Sequence, residues 1–215
     1  ALDEENARLM DIATREATRL NTIITEFLYY ARPPELNLKE CDLNAVLEDT
    51  LDLIRQEAQS RPGMTIATRL GAGPLMAQVD QDQMKQVFWN LAKNAFQAMP
   101  SGGRLTISTG RRWVASGGRS GDVVEIAFLD TGEGIRKEDE DKIFLPFVTT
   151  KKEGSGLGLA AVHRIVDRHG GWIRVESQVG KGSRFGVCLP VSAEAGLRLW
   201  HEGREPWSRE SWKRS

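Results

Sequence analysis

The 215-residue chain carries 29 Lys and Arg against 30 Asp and Glu, a net charge of -1, so it lacks the overall electrostatic footprint of a nucleic-acid binder. Apolar residues make up 40% and charged residues 27%, which fits one sizeable core plus an appendage. No segment reaches the roughly 18 to 20 continuous apolar residues of a membrane span, and the opening "ALDEENARL" is no signal peptide. Cys41 and Cys188 stand isolated, without metal-ligand spacing, which suits a reducing compartment. The expectation is a soluble, cytoplasmic chain, with membrane anchoring of a parent protein left open.

The first element is a long helix in which Met10, Ala13, Ala17, Leu20, Ile24, Phe27 and Ala31 recur at steps of three and four. That is a heptad seam, which wants another helix against it. Arg32-Pro33-Pro34 ends it, since proline lacks a donor and clashes with the preceding turn. A second helix starts behind Asp42 as N-cap, with Leu43, Val46, Leu47, Leu51 and Ile54 on one face, and Arg61-Pro62-Gly63 closes it. Two strand-like runs follow, "MTIATRL" and "LMAQVD", then a helix over about 81–99 stopped by Pro100-Ser101-Gly102-Gly103.

Strands "RLTISTGRRW" and "DVVEIAFLD" flank a turn at "ASGGRSG", and a short charged helix is predicted near "RKEDEDKI". A glycine run, "EGSGLGL", leads into another amphipathic helix, and a hairpin "WIRVESQ" / "SRFGVCLP" closes the pattern. Residues 34–191 therefore read as an α/β domain, a two-layer sandwich of a mixed β-sheet and α-helices, with the coiled-coil-forming helix of 1–33 outside it and a tail at 192–215.

Four clusters carry chemistry-bearing residues. "QVFWNLAKNAFQAM" sets Asn90 and Asn94 one helical turn apart on one face; alone, two such amides could equally cap loops or satisfy backbone. "LDTGEGI" puts Asp130 at a strand end before Gly132 and Gly134, a pattern that by itself is usually a turn. "IFLPFVTTK" joins Phe144 and Phe147 to Thr149, Thr150 and Lys151, and an ordinary loop anchored by aromatics explains it as well. Gly154, Gly156 and Gly158 run into a helix start, where unpaired N–H groups and the dipole favour an anion. Leu159 stands where a dinucleotide fingerprint needs its last glycine, and no Gly-Lys-Ser/Thr makes a P-loop.

Taken in order over residues 43–190, the four clusters resemble the catalytic ATP-binding domain of sensor histidine kinases, in the superfamily that includes gyrase, a heat-shock chaperone and a mismatch-repair ATPase. The resemblance implies ATP and Mg2+ as cofactors. It makes Asn94 the catalytic magnesium ligand, Asp130 the acceptor for the adenine amino group, and Gly132, Gly134 and Ile135 the backbone that passes the purine. Between Ile135 and Gly154 it implies a mobile lid, with Phe147 as anchor and Thr150 and Lys151 for the terminal phosphates. Gly154, Ser155, Gly156, Leu157, Gly158 and Leu159 then form the second glycine box on the phosphates.

Asn90, also a nucleotide contact in this reading, stands where the superfamily's hydrolases carry a glutamate that activates water. An amide cannot serve as a general base, so transfer to a protein nucleophile is favoured over hydrolysis. Gln97 occupies a position where many histidine kinases have a basic residue.

The resemblance further implies that the heptad helix is the second helix of a dimerisation hairpin, giving a homodimeric parent. The hairpin's first helix, carrying the acceptor histidine, is expected upstream of Ala1, and the receiver domain of a response regulator is the onward partner. His163 and His169 are expected to be structural or solvent-facing. "HEGREP" at His201 matches the acceptor pattern in the wrong place and is read as a chance match. The rivals are an anti-sigma-type serine kinase or ATP-driven clamp, and a non-catalytic nucleotide-sensing module of the same fold. Asn90 and the heptad helix argue against the first; intact Asn94, Asp130 and glycines argue against the second.

Overall fold

The computed structural model describes residues 2–31, 34–116, 119–149, 151 and 154–191. In chain order these form α1 (Leu2–Ala31), β1 (Lys39–Asp42), α2 (Leu43–Gln59), β2 (Met64–Arg69), β3 (Met76–Val79), α3 (Gln81–Ala98), β4 (Gly103–Ser116), β5 (Arg119–Asp130), α4 (Gly158–Arg168), β6 (Trp172–Gln178) and β7 (Gly182–Pro190). Five strands build one mixed sheet in the order β2-β4-β5-β7-β6, with only β2 and β4 parallel. The α/β sandwich expected from the pattern is the architecture found. His201 and the tryptophans of the tail lie outside the described residues.

Strand alternation sorts the sheet's two faces. Leu105, Ile107, Val124, Ile126, Phe128, Phe185, Val187 and Leu189 meet the apolar stripes of α2, α3 and α4 in one core. Phe88 of α3 lies against Phe128 of β5 with ring centroids 6.1 Å apart. Each such fully buried side chain contributes about 1.5 to 3 kcal/mol. The opposite face is polar at its centre, where the buried Glu125 pairs with Arg112, with Arg184 at 2.8 Å and with Arg174 at 3.9 Å. Beside it Val114, Val123 and Cys188 make a small second cluster, and burial pushes the Cys188 thiol up to about 12.

The structure corrects the sequence reading in three places. The segment 137–144 forms successive turns, with Asp139, Lys142 and Leu145 donating three residues back, instead of the predicted short helix. Four consecutive acidic residues, Glu138 to Asp141, repel on a helix, and Arg136 draws Glu138 and Asp139 back onto itself. The two strand-like runs after Gly63 part company: β2 joins the main sheet, whereas β3 pairs with the unpredicted β1 from Lys39↔Val79 to Asp42↔Met76. The β4–β5 ladder runs on to Ser116↔Arg119 and absorbs most of the segment read as a turn; Gly117 and Gly118 lie outside the described residues.

Two aspartates start the helices that matter. Asp42 caps α2 by accepting from the Asn44 N–H and also takes the Leu75 N–H. Asp80 caps α3 through the Gln83 N–H and holds the Asn37 N–H at 3.0 Å. Burial pushes the Asp80 pKa up, but the N–H groups of Asn37, Gln83 and Asp82 and the nearby His169 outweigh it, so the net shift is downward.

His169, at the C-terminus of α4, locks this arrangement. Its Nδ1 lies 2.7 Å from the Ile165 carbonyl, and its Nε2 accepts the Asp80 N–H at 3.0 Å. Both contacts are met only by the neutral ring with its proton on Nδ1. Burial lowers its pKa, with Arg168 adding to the effect and the Ile165 carbonyl and Asp80 opposing it.

A folded-state pKa below the unfolded value of about 6.5 means that the unfolded chain takes the proton more readily. Stability is therefore full above about pH 6.5 and declines as pH falls toward the folded-state value. The Asp80 contribution is lost only in more acid solution, below about pH 4. Urea unfolding midpoints should drop between pH 7.5 and 5, and His169→Gln should flatten that slope at a cost of about 1 kcal/mol at neutral pH. An unchanged slope in the variant would refute the lock.

Candidate functional site

A cavity of about 680 Å³ opens between α3, the end of β5, the loop after it and the start of α4. α3 turns its apolar stripe of Met84, Phe88 and Leu91 to the core, and Asn90, Asn94 and Gln97 therefore look into the cavity. Lys93 and Ala98 complete that wall.

At the cavity's other wall stands Asp130, 2% exposed, at the last position of β5. Its Oδ1 accepts the Gly132 N–H at 2.8 Å and the Ser183 N–H at 3.2 Å. Those two bonds fix the carboxylate plane and leave Oδ2 without a bond from the described residues, directed to a cavity that Asp130 lines. Burial raises the Asp130 pKa; the two N–H groups and Lys151 offset this in part.

The loop beyond Asp130 is held by backbone. Glu133 donates its N–H to Ala98 O at 3.1 Å, Gly180 donates to Glu133 O at 2.8 Å, and Ile135 donates to Ser177 Oγ at 2.8 Å. Gly134 sits at φ 73, and a Cβ there would overlap the Gln178 carbonyl, so no other residue fits. Gly132 packs against Ala98 instead of lining the cavity.

The glycine run supplies the third wall. Gly154, Ser155, Gly156, Gly158 and Leu159 line the cavity, whereas Leu157 is buried in the helix layer at the N-cap of α4. No side chain caps α4. The first-turn N–H groups of this 11-residue helix are left to a ligand at the edge of the cavity, together with the positive end of the dipole. Gly156, at φ 69, accepts the Phe147 N–H at 3.1 Å, and a Cβ there would press within 2.6 Å of Phe147 backbone. Phe147 itself has a φ of 64, is 59% exposed, and places its ring 6.2 Å from Phe27 of α1, outside the cavity. Thr150 lies outside the described residues.

Lys151 reaches across this space. Its Nζ donates to Asn94 Oδ1 at 2.6 Å and to Gln97 Oε1 at 2.9 Å. Desolvation lowers its pKa to about 8, against the pull of Glu133 and Asp130. No cluster of three or more His, Cys, Asp and Glu that could hold a metal exists among the described residues. Asn94 Oδ1, already in contact with a cation, is the oxygen best placed to share one with a ligand's phosphates. His163 is exposed beside Phe144, 5.4 Å between rings, and His169 is the structural lock described above.

The cavity also gathers residues that the sequence reading missed, including Ile23 of α1, Lys93, Glu133, Val179 and Ser183. For Lys93 a signal existed, since it stands beside Asn94 on the same helix. For Ile23, Val179 and Ser183 none did, because they arrive from elements remote in sequence.

The model of the histidine kinase-, DNA gyrase B-, and HSP90-like ATPase family matches residues 79–193 of this chain. Sensor histidine kinase ZraS of Escherichia coli strain K12 is 40% identical over 190 residues, which cover 87% of this chain and 38% of ZraS. This chain thus spans well under half the length of that relative. Among solved structures, histidine kinase ThkA in complex with response regulator protein TrrA has a TM-score of 0.71 at 28% identity, covering 86% of this chain and 51% of ThkA. Full-length ShkA in complex with AMPPNP has a TM-score of 0.70 at 27% identity, covering 85% of this chain and 38% of ShkA. With the family model spanning more than half of its length, this chain belongs to the histidine kinase-, DNA gyrase B-, and HSP90-like ATPase family.

Proposed function

We propose that this domain transfers the γ-phosphoryl group of MgATP to a histidine on a dimerisation hairpin, for relay to an aspartate of a response-regulator receiver domain. One observation carries the reading: a single nucleotide-sized cavity has a carboxylate with one open oxygen on one wall, an amide oxygen in contact with a cation on another, and an uncapped helix start on a third. The AMPPNP complex of ShkA and the ThkA–TrrA complex support the same assignment by analogy.

Asp130 Oδ2 accepts the adenine amino group, and Gly134 and Ile135, which line the cavity, pass the purine with their backbone, Gly132 serving the turn through its N–H on Asp130 Oδ1. Asn94 Oδ1 would hold Mg2+, which supplies charge neutralisation for the triphosphate when bound. The backbone of residues 154–159 and the N-terminus of α4 bind phosphate oxygens, and Lys151 faces the terminal phosphate. Phe147 anchors the segment to the glycine run. Catalysis by such a domain rests on orientation and charge neutralisation. Asn90 offers no base to activate water, which favours transfer over hydrolysis.

The remaining segments fit one architecture. Residues 1–33 are the second hairpin helix, residues 34–191 the catalytic domain and residues 192–215 a tail. α1 leaves Met10, Leu20, Ile24 and Phe27 exposed along its seam, which suits pairing with helices of a homodimer. No helix among the described residues is long and apolar enough to cross a membrane.

Base selection is tested by calorimetric titration with ATP and GTP. ATP should bind more tightly, and Asp130→Asn should weaken ATP by on the order of 1.5–3 kcal/mol through loss of a charged hydrogen bond. Equal affinities for the two nucleotides would remove Asp130 from its role.

Group transfer is tested with γ-labelled ATP and a separate fragment carrying a complete hairpin. Acid-labile, base-stable label should appear on that fragment, Asn94→Ala should abolish it, and His201→Ala should leave it unchanged. Label on this chain that vanishes with His201→Ala, or rapid ATP turnover without an acceptor, would replace the proposal.

A further inference from the structure

Lys151 takes a seat built by two neutral oxygens. Asn94 and Gln97 are three residues apart on α3, neighbours on one helix face, and both accept from the same ammonium, at 2.6 and 2.9 Å. Amide oxygens hold a cation more loosely than a carboxylate would, so the seat locates the lysine without trapping it. Asn94 Oδ1 is also the atom that the proposed function assigns to the metal. An ammonium and a divalent cation repel each other at one oxygen, so only one can occupy it at a time.

We propose that Gln97 is a positioning residue for the transfer reaction: it retains the Lys151 ammonium at the phosphate end of the cavity when Lys151 cedes Asn94 Oδ1 to the metal of MgATP. This inference rests on the ATP-site reading above. Lys151 and the metal thus compete for Asn94 Oδ1. With nucleotide, Gln97 Oε1 keeps the ammonium one helical turn away, beside the terminal phosphate. The positive charge that α3 does not carry at position 97 is thereby delivered from the loop after Val148.

The preference for AMPPNP over ADP reports this placement directly, because the two differ at the terminal phosphate. Both are titrated calorimetrically into the 215-residue chain with excess Mg2+, and thermal unfolding is recorded for each variant. The wild-type chain should prefer AMPPNP, Lys151→Met should cut that preference roughly tenfold or more, and Gln97→Ala should cut it about threefold to tenfold. The double variant Gln97→Arg with Lys151→Met should regain preference, since a guanidinium on α3 then supplies the charge.

A merely structural Gln97 would change thermal stability and leave the AMPPNP-to-ADP ratio alone. That result, or a Lys151→Met chain with full preference, overturns the inference while leaving the ATP site standing. A wild-type chain that binds neither nucleotide overturns the functional reading and this inference together.

Discussion

The rotation of α3 about its own axis is the constraint on which the site depends. Burial of Met84, Val87, Phe88, Leu91 and Phe96 against the sheet leaves one orientation of lowest free energy. Asn90, Asn94 and Gln97 are then directed into the cavity by helical periodicity alone. The helix start is fixed independently, by Asp80 capping the first turn and by His169 accepting the Asp80 N–H. A core interaction and a capping network thus set the direction of three amide side chains that make no contribution to either.

How much of this was legible in the sequence follows from which forces were local. Asn90 and Asn94 could be placed on one face because helix period is a local property, and the end of β5 at Asp130 because an apolar strand meets a glycine turn there. β1 left no trace: "KECD" has four residues and no alternation, and its strand state exists only through pairing with β3. The charged run at 137–144 was read for composition, while Arg136 and the crowding of like charges decided its turns. Gln97 was read as the loss of a basic residue because its partner, Lys151, is 54 positions away on a loop with no periodicity to place it.

The cavity separates two electrostatic tasks that burial makes mutually dependent. Desolvation raises the pKa of Asp130 and lowers that of Lys151, so each group is held less comfortably in its charged form than in water. Each also offsets the other's shift in part. Asp130 solves its problem with two backbone donors on one oxygen, which leaves the other oxygen for a ligand. Among the described residues Lys151 donates its ammonium only to neutral acceptors, so an incoming anion gains more from it than from a lysine already paired with a carboxylate.

The segment joining those two ends is anchored on the core by Ile135, Ile143 and Phe144, and its far end, from Phe147 to Lys151, makes a separate set of contacts. Phe147 and Phe27 meet with both rings largely exposed, 59% and 44%, so the apolar area they remove from water is small. The firmer ties are polar: the Phe147 N–H on Gly156 O, the Lys151 N–H on Thr149 Oγ1, and the ammonium on Asn94 and Gln97. Each net hydrogen bond of this kind is worth about 0.5 to 1.5 kcal/mol, more where a charge takes part. The charged tie ends on Asn94 Oδ1, the same oxygen that the proposed function gives to the metal, so on that proposal one oxygen atom serves both the segment and the phosphate end. Ile23 of α1 lines the same cavity, which sets the helix that bears the heptad seam at the edge of the site.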